Sequence, residues 1–227
     1  LSARGVNLTT RSGGATTAKA NQVQAAQLDA SGAKIGDLNA SNVNLEQVGS
    51  ETRINSERVQ IGSVTAPGAV IGSLNVAGVR LTIREGRVEG TSGDINAGNV
   101  QLTKTRDNPA GGNLENVRLA RPVFVLEPSG RYRASADMSL GGGVIGSVRL
   151  GAARADVVAT SEQIALNNLT ADVMDGKLDG NAVIALTTRN RSEVNAVFSN
   201  LDLSKLVALQ GGRVIPLAGQ TTGKVNL

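Results

Sequence analysis

The chain contains no histidine, no cysteine and no tryptophan, and its aromatic residues are Tyr132, Phe124 and Phe198 alone. Without histidine or cysteine it cannot assemble a serine–histidine or cysteine–histidine nucleophile. The usual zinc sites are excluded for the same reason, and no disulfide framework can hold the fold. With almost no aromatic platform and no dense arginine or lysine run, nucleic acid is not an expected partner. No stretch approaches the roughly 18 consecutive apolar residues of a transmembrane helix. Charge of one sign is not concentrated either. The net charge is +4 and the isoelectric point about 9.8, but the charges are interspersed, as on a solvated surface.

What remains is aliphatic. A core, if there is one, must be built of Val, Leu, Ile and Ala, which bury less area per side chain than aromatics do. The 28 glycines among 227 residues, with frequent Asn, Ser and Thr, suit many turns between many short strands. The chain begins at Leu1 and ends at Leu227 within strand-like sequence. It is therefore expected to be a segment of a larger protein, with any signal peptide or membrane anchor outside it.

The first half carries a repeat, Asn-x-x-x-Val-x-aliphatic. It reads Asn39-Val43-Leu45, Asn55-Val59-Ile61, Asn75-Val79-Leu81, Asn96-Val100-Leu102 and Asn113-Val117-Leu119, in steps of 16, 20, 21 and 17 residues. Ile35 to Leu45 aligns with Ile71 to Leu81, and Gly93 to Leu102 aligns with Gly36 to Leu45. In a strand the Val and the aliphatic residue two places on share one face, and the polar residue between them faces water. A step of about 20 residues accommodates about two strands of 5–6 residues with their turns. The repeated asparagines are expected at turns that begin these strands; an amide ladder inside a stacked solenoid is the alternative. The apolar face must be covered, by coiling into a solenoid, by folding into a sandwich, or by curling into a gutter that holds an apolar ligand. The unequal steps favour a meander over a strictly periodic solenoid.

A loop is expected around Asp107 to Gly112, dividing a repetitive β-region (1–107) from a second module (108–227). There the strands are expected at Val123–Leu126, Tyr132–Leu140, Val144–Leu150, Ala152–Ala159, Gln163–Leu166, Leu169–Met174, Lys177–Leu186 and Glu193–Ser199. A short helix is expected over 202–210, with Asp202 as its N-cap and Gly211 as its stop.

Ile164 to Leu186 reads as two strands, an Asp175-Gly176 turn and a further strand. Val194 to Leu209 and Pro216 to Leu227 follow. This order resembles the C-terminal module of AsmA-like proteins, the group that includes TamB-like proteins. The matching positions are Asp175, Gly176, Leu178, Gly180, Leu201, Asp202, Leu203, Leu206, Gly219 and Gly223, within about residues 120–227. The resemblance implies a periplasmic, cell-envelope protein whose bent β-sheet forms an apolar gutter for phospholipid acyl chains between inner and outer membranes.

Three motifs compete with this reading. Gly141-x-Gly143-x-x-Gly146 matches a dinucleotide fingerprint by letter, but an alternating strand follows where a helix is needed, so a hairpin turn is expected. Asp172, Asp175 and Asp179 lack the spacing of a calcium loop. The scattered carboxylates Glu85, Glu89, Glu127 and Glu162 give no acid–base pair. The expectation is an all-β, elongated, curved antiparallel sheet with no catalytic residue, no metal and no cofactor, and with a β-solenoid stalk or adhesin as the alternative. Its hydrophobic wall is expected at Val43, Leu45, Val59, Ile61, Val79, Leu81, Val100, Leu102, Val117 and Leu119, joined by Leu178, Ile184 and Leu186.

Overall fold

A computed structural model of the chain describes residues 1–11, 15–30, 33–104, 111–187, 190–202 and 219–226. The strands are β1 (Ser2–Arg4), β2 (Asn7–Thr10), β3 (Thr16–Ala30), β4 (Ala33–Val48), β5 (Glu51–Ile61) and β6 (Ser63–Ala66). Next come β7 (Ala69–Ile71), β8 (Leu74–Arg84), β9 (Arg87–Thr91), β10 (Ile95–Leu102), β11 (Gly112–Leu126) and β12 (Tyr132–Leu140). The series closes with β13 (Gly142–Ile145), β14 (Val148–Thr160), β15 (Gln163–Val173), β16 (Gly176–Ala185), β17 (Glu193–Asp202) and β18 (Gln220–Asn226). No helix occurs among the described residues. Asp202 closes β17, and the rest of the helix expected over 202–210 lies outside the described residues.

All 18 strands join one sheet, and every pairing is antiparallel. The pairs β1/β2, β5/β6, β7/β8, β9/β10 and β12/β13 each behave as one interrupted strand, so the chain meanders through thirteen tiers in sequence order. The sheet is open. Among the described residues, the first tier pairs only with β3 and β18 only with β17. An antiparallel meander is incompatible with a β-solenoid, whose coils stack in parallel, so the alternative architecture is set aside. The boundary expected near 107 lies outside the described residues; β10 and β11, on either side of it in sequence, are hydrogen-bonded neighbours.

The strands are longer than the repeat implies, because turn-prone residues sit inside them. Gly5 (φ 63°), Asn42 (φ 49°), Gly78 (φ 57°) and Asn116 (φ 53°) are left-handed, in steps of 37, 36 and 38 residues. Each directly precedes the Val of a Val-x-Leu unit. Gly and Asn tolerate this conformation better than other residues do. At each such point the apolar alternation takes a step of three. In β8 the half-buried residues include Leu74 and Val76, then Val79 and Leu81, with Ala77 and Gly78 both exposed between them. β10 and β11 do the same at Gly98-Asn99 and at Glu115-Asn116. The irregularities adjoin from strand to strand. Glu57 and Gly78 face each other between the pairs Ser56↔Val79 and Arg58↔Ala77. Asn42 Nδ2 donates to Glu57 Oε2.

In the second half the same device becomes a true bulge. Arg121 (φ 53°), Asn168 (φ 51°) and Asn200 (φ 57°) lie in extra residues where the register shifts. Bulges bend a strand and increase its twist, so each bends its strand while keeping the apolar residues on one side.

The sequence-based placement of turns is corrected in two respects. Asn39 and Asn55 lie within β4 and β5, and only Asn75, Asn96 and Asn113 stand next to a strand's first residue. In three of the five units the residue with left-handed geometry is the one three places on: Asn42, Gly78 and Asn116. The loop between β15 and β16 is Met174-Asp175, with φ of 49° and 63°, between the paired residues Val173 and Gly176. Two left-handed residues match the twist of a tight hairpin; the expected Asp175-Gly176 turn is therefore displaced by one. The glycines of the dinucleotide-like motif fall at the β12–β13 break, in β13 and at the β13–β14 turn, as a hairpin requires.

Candidate functional site: the apolar face

Cross-strand partners share a face, so the registers can be followed across the sheet. One row runs Leu8–Ala18–Leu45–Ile54–Leu81–Gly90–Phe124–Ala134–Ala159–Ile164–Ile184. A second runs Ala3–Val23–Ala40–Val59–Val76–Ile95–Leu119–Met138–Ala155. A third, at the rim, runs Leu28–Ile35–Val64–Ile71–Val100–Leu114–Gly143–Leu150–Val173–Gly176. Between them lie Ile61–Leu74–Ala97–Val117 and Leu140–Ala153–Ala171–Leu178–Phe198. Strands are spaced about 4.8 Å apart, so the rim row extends over about 43 Å.

The face is aliphatic and lacks a second layer among the described residues. The substantial contacts between elements are all between strands that pair with each other. Among the described residues no large side chain is fully buried, and the buried apolar ones are mostly alanines: Ala25, Ala40, Ala97, Ala153, Ala155, Ala182 and Ala196, with Leu140 and Leu201. The chain exposes 14435 Å², whereas a compact monomer of 23.2 kDa exposes about 9,700 Å² by size scaling.

The expected wall residues are distributed over these rows. Leu45, Leu81 and Ile184 share the first row, Val59 and Leu119 the second, and Val100 belongs to the rim. Ile61, Val117 and Leu178 lie between. Val43 pairs with Ala20, Val79 with Ser56 and Leu102 with Ala69 and Gly112. All are half-buried except Ile184, 43 % exposed, and Leu186, 46 % exposed. Leu186 follows β16, its backbone N–H donating to the Glu162 carbonyl at 2.8 Å. The repeat missed Ile54, Leu74, Val76, Ile95, Leu114, Phe124, Leu150 and Ile164. A search for apolar residues separated by steps of two and occasionally three would have found them.

The opposite face is polar. Its central row runs Ser2–Gln24–Asn39–Gln60–Asn75–Asn96–Arg118–Ser139–Arg154–Thr170–Asp179. Three of the repeated asparagines thus enter an amide row, on the outside of an open sheet. Gln60 Nε2 donates to Asn75 Oδ1 at 3.3 Å, and Gln22 Nε2 to Asn39 Oδ1 at 3.0 Å. Ion pairs lie near this row, Arg118 with Asp94 and Arg121 with Asp137. At the strand ends Glu51 receives hydrogen bonds from Arg84 and from Arg53, the latter at 2.6 Å. The Arg84 contact chiefly holds the Glu51 carboxyl below the usual carboxylate range, and in turn raises the Arg84 guanidinium. Among the described residues, no group of three or more carboxylates is placed to hold a metal ion.

Comparison of the chain with protein-family models, with curated proteins and with solved structures gives no match.

Proposed function

We propose that this chain is a non-enzymatic segment of an envelope protein that carries phospholipid acyl chains along the apolar face of its sheet. In this reading it works in the periplasm, in outer-membrane biogenesis, between inner and outer membranes that are reached by parts of the protein outside this segment. The observation that carries the proposal is the set of continuous aliphatic rows without a covering layer among the described residues. An acyl chain in water costs about 0.8 kcal/mol per exposed CH₂, so about 16 carbons cost about 13 kcal/mol. A continuous aliphatic trough removes that cost with no chemistry and no cofactor. Walls of Val, Leu, Ile and Ala with few aromatics give little to grip, which suits sliding more than tight capture. The resemblance of residues 120–227 to the AsmA-like module points the same way.

The test is lipid extraction of the protein purified from cells without detergent, followed by mass spectrometry. Phospholipid at a reproducible ratio to protein is the expected result. A protein that releases none, and takes up none from vesicles, would leave the sheet as a stiff spacer.

A further inference from the structure

A notch of about 780 Å³ opens at the rim, lined by residues of the β13–β14 and β15–β16 turns and of β14, β15 and β16. It has two chemically distinct sides. Leu150, Val173 and Gly176 are successive members of the rim row on the apolar face. Arg149, Asp172 and Lys177 alternate with them along the strands and so belong to the polar face. Asp172 stands opposite Lys177 in the register. It also lies over Gly151, where an added Cβ would come 2.8 Å from the Asp172 Cβ; the glycine makes room for that carboxylate beside Arg149. Neither Arg149 nor Lys177 has an ion-pair partner among the described residues. Met174 and Asp175, left-handed at φ 49° and 63°, also line the notch.

Two cations without an ion-pair partner among the described residues and two carboxylates, Asp172 and Asp175, line the end of an aliphatic row, an arrangement complementary to a zwitterion with an apolar tail. A phosphate takes charge-assisted hydrogen bonds from Arg and Lys, and a primary ammonium gives them to a carboxylate. Resting on the lipid-carrying reading above, we infer that the notch seats the head group of a zwitterionic aminophospholipid. Arg149 and Lys177 hold the phosphate, Asp172 accepts from the ammonium, and the acyl chains lie on the Leu150–Val173 end of the rim row. The notch is then the place where a lipid enters or leaves the trough sideways.

The experiment is native mass spectrometry of the 227-residue protein with short-chain phosphatidylethanolamine, phosphatidylcholine, phosphatidylglycerol and diacylglycerol in competition. Phosphatidylethanolamine is expected to win over phosphatidylcholine by about fivefold, the scale of an exposed charge contact, because the choline nitrogen has no N–H to donate. Asp172→Asn should erase that preference and leave phosphatidylcholine binding unchanged. The double variant Arg149→Ala/Lys177→Ala should weaken every phosphate-bearing lipid and spare diacylglycerol. Arg58→Ala, on the same face but away from the notch, should change nothing. If the parent protein binds lipid and the notch variants leave its order of preference intact, the notch is not the head-group site, although the trough reading survives. If the parent protein binds no lipid at all, both fall together.

Discussion

Gly180 on β16 and Ala196 on β17 are paired so closely that an added Cβ on the glycine would stand 2.7 Å from the Ala196 Cα and 2.2 Å from the Asn195 carbonyl oxygen. These are backbone atoms, so no side-chain rotation relieves the contact. Gly180→Ala must therefore push the two strands apart. Overpacking of this kind costs about 1–3 kcal/mol, which corresponds to a fall in Tm of about 2–12 °C for a chain of this size. A thermal melt followed by circular dichroism checks it, and an unchanged Tm would show that the strands part freely here.

The left-handed residues give a second, signed prediction. Asn116 at φ 53° should be replaceable by glycine with a gain in stability of about 0.5–1 kcal/mol, and by valine only with a loss of about 1–2 kcal/mol. Urea titration of the two variants should move the midpoint in opposite directions. Movement in the same direction would mean that the asparagine side chain, and not its backbone geometry, matters at this site.

Carrying lipid on an uncovered face predicts a particular insensitivity. Val79→Asp and Leu102→Asp place a carboxylate on a half-buried surface that already meets water. Both variants should stay folded by far-ultraviolet circular dichroism while losing co-purified lipid. Complete unfolding of both would instead reveal a sealed apolar interior, where a buried charge without a partner is not tolerated.

The Glu51–Arg84–Arg53 cluster ties part of the stability to pH. The folded state holds the Glu51 carboxyl below its ordinary value of 4.5, chiefly through the hydrogen bond from Arg84. A depressed carboxyl contributes stability that is present above its unfolded pKa and lost as the pH falls through the folded one. Acid denaturation should therefore steepen below about pH 4.5, and Glu51→Gln should flatten that limb while leaving stability near pH 7 slightly lower. Added salt should shrink the difference, since Arg53 and Arg84 are largely exposed and surface charges are screened. Identical acid limbs for the two proteins would remove the cluster from the account.

Much of the fold is legible in the chain because period-two alternation is a local signal. Tyr132–Leu140 was bounded from sequence as the structure has it, since its ends carry Gly130-Arg131 and Gly141-Gly142. Elsewhere the same signal misleads at bulges. Asn167-Asn168 separates two expected strands, yet β15 runs through it. Val144–Leu150 reads as one strand, yet Gly146 at φ 61° turns the chain back between β13 and β14. A left-handed Gly or Asn reads the same in sequence whether it ends a strand or bends one. Only the neighbouring strand, by continuing or failing to continue its ladder, distinguishes the two.

The amino-acid sequence alone determined that this chain would be built mainly of strands, aliphatic on one side and polar on the other, and that it would lack histidine and cysteine. Those properties follow from composition and from spacing along one strand. Tertiary structure alone decided that Leu45, Ile54, Leu81 and Phe124 stand in one row, that Glu57 and Gly78 face each other, and that no second layer covers the face among the described residues. The reason is that cross-strand register and sheet closure depend on residues tens of positions apart, whose relative placement no local spacing encodes.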